Sequence, residues 1–132
     1  MTTYGLLDTS VLIARQQHRL ESSTALPDEV SVSVVTLAEL QLGVYAARDT
    51  ETRARRMATL DGISGFDLLP INADAATEWS RLRYRVAEAQ RRINVNDLWI
   101  AAIALANGLP IVTQDADFTQ LEDLGGPAVI RA

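Results

Sequence analysis

The stretch Tyr4-Gly-Leu-Leu-Asp8-Thr-Ser-Val-Leu-Ile13 decides how the rest of the chain is read. Without Asp8 it is an apolar strand running straight into a helix. An ionised carboxylate inside such a run costs on the order of several kcal/mol unless hydrogen-bond donors or a cation meet it. Asp8 falls where the apolar run gives way to Thr9 and Ser10, residue types that favour helix N-caps. This places it at the carboxyl end of a first strand over about Tyr4–Leu7, with a helix following from Ser10 to about Gln17. Open α/β sheets bind their ligands at that end. Two readings stay open from this stretch: Asp8 only caps the helix, or it belongs to a site.

The 132 residues make one domain, 1–132, long enough to bury roughly two-thirds of its unfolded surface. With 48% apolar and 22% charged residues, the composition is that of an ordinary globular chain. No apolar run approaches the roughly 20 residues of a membrane span, and no basic-then-apolar segment opens the chain. A cytoplasmic location without a membrane partner is the expectation, and the lack of Cys fits it.

Several chemistries are excluded by what is missing. All 12 basic residues are Arg. Without Lys there is no Schiff base, no P-loop lysine and no lysine beside a phosphoaspartate. Without Cys there is no thiolate nucleophile and no Cys-bound zinc. The single His18 sits in a polar connection, reads as an exposed loop residue, and rules out a two-histidine acid–base pair within one chain. No Gly-x-Ser-x-Gly elbow occurs. Carboxylates, hydroxyls and arginines remain for any catalysis, on a chain whose net charge of −5 does not draw polyanions as a whole.

Further along, a helical turn is expected over Leu20–Leu26 and an alternating strand over Val30–Val34. Thr36 with Glu39 has capping-box spacing, so Thr36 is the expected cap of the next helix, ending near Ala47. A third helix starts at Asp49 or Thr50 and ends near Asp61-Gly62; Arg53 and Arg56 share a face that reads as solvated. Phe66–Ile71 resembles a short edge strand limited by Pro70. Asn72 or Asp74 caps a long amphipathic helix from Ala75 to about Gln90, with Trp79, Leu82, Val86 and Ala89 on its core face. Asn96 is the expected cap of an almost wholly apolar helix that begins at Asp97 and stops at Asn107-Gly108. Pro110–Thr113 is a short buried strand, and Phe118–Leu124 and Val129–Arg131 close the chain as helix and strand. The alternation predicts a three-layer α/β/α fold with a mostly parallel sheet and right-handed crossovers.

In a parallel sheet all carboxyl ends face one way. Asp8, Glu39, Asp97 and Asp115 each follow a strand end or open a strand-fed or buried helix, so the fold should bring all four to one rim. Each has a plain structural explanation alone. Together they repel, and hard divalent cations bound through oxygen resolve the conflict, Mg²⁺ or Mn²⁺ being the natural choice. Carboxylate-held Mg²⁺ commonly acts on phosphates.

Four motifs in this order carry a family resemblance: Leu7-Asp8-Thr9-Ser10, Thr36-Leu-Ala-Glu39-Leu-Gln-Leu-Gly43, Asn96-Asp97-Leu-Trp-Ile-Ala-Ala-Ile-Ala104 and Thr113-Gln-Asp115-Ala-Asp117-Phe118. The chain resembles, over essentially its whole length, the PIN-domain ribonucleases, specifically the VapC-type toxins of bacterial toxin–antitoxin pairs. The resemblance implies Mg²⁺-dependent hydrolysis of an RNA phosphodiester that leaves a 5′-phosphate. It assigns Asp8, Glu39, Asp97 and Asp115 to the catalytic site, the metal to Asp8, Asp97 and Asp115, and a further, less constant acid to Asp117. Thr9, Ser10 and Thr113 are expected either to orient carboxylates and waters or to serve as helix and turn residues only. A homodimer and a small VapB-like antitoxin are the implied protein partners. The rival reading is a catalytically silent PIN-like binding domain. A receiver-type phosphoaspartate protein is disfavoured by the missing Lys.

Overall fold

A computed structural model of the protein describes residues 1–20 and 26–132. The turn expected over Leu20–Leu26 falls largely on 21–25 and so lies outside the described residues. Five strands, β1 (Tyr4–Leu7), β2 (Glu29–Ser33), β3 (Asp67–Leu69), β4 (Ile111–Thr113) and β5 (Val129–Arg131), form one sheet in the order β3-β2-β1-β4-β5. Every pairing among the described residues is parallel, one step beyond the mostly parallel sheet the sequence predicts. Helices α1 (Thr9–Gln16), α2 (Val34–Ala46), α3 (Thr50–Asp61), α4 (Ala73–Glu88) and α5 (Val95–Ala106), with a 3₁₀ helix over Ala116–Leu124, cover its faces.

The sheet's centre is set by side-chain alternation. Leu6 of β1 is in register with Ile111 of β4, and both pack with α4 and α5 through Leu82, Val86, Ile100 and Ile103. One residue on, Leu7 is in register with Val32 of β2 and Val112 of β4, and these face the opposite side with Val11, Leu12 and Leu40. β1 is therefore buried on both faces, and the residue after it emerges between two strand ends.

Local sequence sets the helix starts, and two differ from expectation. Ser33, not Thr36, is the N-cap of α2: its side chain accepts from the Thr36 amide, and the helix already begins at Val34. Asn94, not Asn96, caps α5 by accepting from the Asn96 and Asp97 amides, so Asp97 is the third helical residue rather than the first. Asp49 and Asn72 cap α3 and α4. Arg53 and Arg56 are exposed, as their shared face suggests, yet their guanidinium groups donate to the carbonyls of Ala47 (2.9 Å) and Gly43 (2.6 Å) and so tie α3 to the end of α2. His18 is exposed. Trp79 packs on the larger core cluster and stacks on Trp99 at 4.9 Å between ring centroids.

Candidate metal centre

Asp8 occupies the N-cap position of α1, but its side chain makes no capping bond there. Instead its Oδ2 accepts from the hydroxyls of Ser10 and Thr113, both at 2.8 Å. The residue is only 3% exposed. Burial pushes its carboxyl pKa up, against the pull of the Ser10 and Thr113 hydroxyls. The open question at Asp8 thus turns against the capping role: a buried acid is held by two hydroxyls, one of them delivered from the neighbouring strand β4.

The β4 end is wired in the same way. Thr113 is fully buried, and its Oγ1 also accepts from the Asp115 amide at 2.8 Å. Ser10 Oγ lies 3.3 Å from Thr113 Oγ1 and accepts from the Gln114 amide at 3.0 Å. Asp115 then caps the 3₁₀ helix by accepting from the Asp117 amide at 2.9 Å. One compact hydroxyl pair therefore fixes Asp8 and the turn that carries Asp115 and Asp117.

From the other side, Thr9 Oγ1 lies in donating distance of Glu39 Oε1 (2.8 Å) and of Thr36 Oγ1 (3.0 Å). Glu39 is the sixth residue of α2, clear of the helix start, so the capping-box explanation for it is gone. Asp97 projects from the first turn of α5, where the positive end of the helix dipole favours a carboxylate. Even so, its pKa is raised to about 7. Burial is the larger cause; the charges of Asp8, Asp115, Glu39 and Asp117 supply the rest. The charges that raise it are all carboxylates, so the four expected acids and Asp117 stand within electrostatic reach of one point.

Three of them come closest. Carboxylate oxygens of Asp97, Asp115 and Asp117 lie within 4.8 Å of one another, each residue half-buried. Asp117, expected as a lesser acid, thus stands inside this trio, while Asp8 and Glu39 flank it. The ion pairs among the described residues, Arg55–Glu51, Arg81–Glu78 and Arg91–Asp123, leave all five acids out. An all-oxygen donor set of like charges without an arginine counterion suits a hard divalent cation. Thr36 is a residue that sequence reasoning missed. Read as a cap, it proves to be a fully buried hydroxyl touching Thr9, and its place on the same helix face as Glu39, three residues away, was the available signal.

Beside Glu39, a cleft of about 450 Å³ runs between α1, α2 and α3, with Thr9 and Glu39 in its wall along with Ile13, Leu40, Arg55 and Arg56.

Against this geometry, comparisons with known proteins agree with one another. A family model described as PIN domain matches residues 5–124. The chain is similar to Ribonuclease VapC5 of Mycobacterium tuberculosis, 48% identical over 127 residues that span 96% of this chain and 94% of that one. It is 40% identical to Ribonuclease VapC4 of the same organism over 91% of this chain and 92% of the other. Its structure superposes with a TM-score of 0.87 on the crystal structure of a member of the VapBC family of toxin–antitoxin systems, VapBC-5, from M. tuberculosis, at 47% identity and covering 98% and 99% of the two chains.

Proposed function

Because the chain belongs to the PIN-domain family, among its VapC-type members, we propose that it is an endoribonuclease toxin that hydrolyses RNA phosphodiester bonds with Mg²⁺, for which Mn²⁺ substitutes, and that a cognate antitoxin silences it. The observation that carries this reading is the Asp97 environment: the carboxylates of Asp8, Glu39, Asp115 and Asp117, from three separate places in the chain, act on one acid, and no ion pair among the described residues engages any of them.

Asp97, Asp115 and Asp117 are the residues that would hold the ion, with Asp8 beside them. A divalent cation held there would lower the pKa of a water, making it available as the hydroxide nucleophile, and would offset the charge that builds on the phosphate oxygens. The chain's own contribution is pre-organisation. Ser10 and Thr113 both donate to Asp8 Oδ2 and so fix the orientation of its carboxylate. Thr9 likewise engages only Oε1 of Glu39, so its second oxygen serves an ion or orients a water. Arg55 and Arg56 give the adjoining cleft local positive charge on a chain of net −5, which suits an RNA backbone. An antitoxin partner follows from the VapBC complexes that the fold matches, and a basic segment placed against the acids would neutralise them as a cation does.

The test is Asp8→Asn and Asp97→Asn, each checked for folding by circular dichroism and assayed on RNA with Mg²⁺ and with chelator. Loss of at least about 100-fold in cleavage is expected for each. Folded variants that keep full Mg²⁺-dependent cleavage would defeat the assignment. Calorimetric titration with Mn²⁺ separates the rival, because a silent PIN-like domain need not bind the ion.

A further inference from the structure

Three hydroxyl oxygens from three elements, β2, α2 and α1, stand in a row behind Glu39. Ser33 Oγ lies 3.4 Å from Thr36 Oγ1, Thr36 Oγ1 is 3.0 Å from Thr9 Oγ1, and Thr9 Oγ1 is 2.8 Å from Glu39 Oε1. Ser33 and Thr36 are both 0% exposed, so neither hydroxyl trades its partner for water. Ser33 is already fixed, since its Oγ accepts the Thr36 amide at 3.1 Å and caps α2.

A hydroxyl carries one proton, and Thr9 has two acceptors within reach. The charged one, Glu39 Oε1, takes it, because bonds to ionised acceptors are the stronger. Thr36 Oγ1, which also accepts from Ser33 Oγ, is the second acceptor 3.0 Å from Thr9 Oγ1, so the Thr9 hydroxyl is held between a fixed buried oxygen and the carboxylate. Glu39 needs the help: it is a long side chain, half-buried in the cleft wall, and Thr9 is its hydrogen-bond partner.

We propose that Thr36 is a positioning residue: its buried hydroxyl holds Thr9, and Thr9 in turn holds the Glu39 carboxylate in the orientation the acid cluster uses. The relay mirrors the Ser10–Thr113 pair behind Asp8, and it rests on the nuclease reading of the site. Thr36 itself is fully buried and acts only through Thr9.

The test uses the full chain and four changes: Thr36→Val, which keeps the shape and removes the hydroxyl, Thr36→Ser, which keeps the hydroxyl, Thr9→Val, and Glu39→Gln as background. Each protein is checked by circular dichroism, assayed for kcat and KM on an RNA oligonucleotide, and titrated calorimetrically with Mn²⁺ in the absence of RNA. Thr36→Val is expected to lower kcat about tenfold, with KM within about twofold, and to weaken Mn²⁺ binding several-fold. Thr36→Ser is expected to restore both. In the Glu39→Gln background Thr36→Val is expected to add less than about twofold, because the group it positions is already altered. Wild-type kcat in Thr36→Val, or losses that multiply with Glu39→Gln, would overturn the proposal. Should Thr36→Val fail to fold, Thr9→Val carries the same expected kcat loss and the same non-additivity, and its absence is equally fatal. A wild-type protein that cuts no RNA would remove the nuclease reading instead. The Mn²⁺ arm would then still judge Thr36, by whether Thr36→Val weakens the ion and Thr36→Ser recovers it.

Discussion

Asp97 is where the charge conflict of the site is concentrated. Its carboxyl pKa stands near 7 rather than 3.8, raised by burial and by four neighbouring acids. A raised acid pKa contributes stability that is fully present below the unfolded value and lost as pH rises through the folded one. In ion-free protein, stability should therefore fall between about pH 4 and pH 7 through this group. Asp97→Asn removes that loss. The variant and wild type should melt alike near pH 4, and the variant should be more stable by on the order of 1–2 kcal/mol near pH 8, allowing for solvent screening of a half-buried group. Added Mn²⁺ should reverse the order by stabilising wild type alone. Melting curves at several pH values, with and without Mn²⁺, check both signs. That Asp8 is anomalous was legible from its place in an apolar run, and Asp97 was legible as the acid that opens a buried helix. That Asp117 would join the closest trio was not, because it depends on how the turn after β4 is pinned by Thr113 and Asp115.

Elements were read more securely than their ends. Apolar runs located β1 and β4, alternation located β2, and the long apolar run from Leu98 located α5, because burial demands those patterns whatever the neighbours do. The caps were misplaced where two polar residues compete within a few positions. Ser33 and Thr36 both suit a cap, as do Asn94 and Asn96, and in each pair the earlier residue is the cap. The correction is testable. Asn94→Ala should cost about 1 kcal/mol, while Asn96→Ala should stay within about 0.5 kcal/mol, measured by urea denaturation. Asn94→Ala should also lower RNA cleavage, since its carbonyl oxygen fixes the turn that presents Asp97.

Across the whole molecule, β1 is the shared wall of two cores. Leu6 and Leu7 are essentially inaccessible and belong to different clusters. Leu6→Ala should cost about 2–5 kcal/mol in urea denaturation through the cavity left against Ile111 and the α4–α5 side. Gly126 sits tightly at the other end of the chain: a Cβ there would lie 2.7 Å from the Leu121 side chain and carbonyl oxygen. Gly126→Ala should cost about 1–3 kcal/mol on the same measurement. The central position of β1 also bears on the order of synthesis. The strand made first is completed on one side by β4, one of the last to be made, and Asp8 receives Thr113 only with that pairing. A ribosome halted before Ile111 carries a polypeptide whose oldest acid lacks its late-arriving clasp, and in which Asp115 and Asp117 do not yet exist. The acid cluster therefore assembles only once β4 has been paired beside β1.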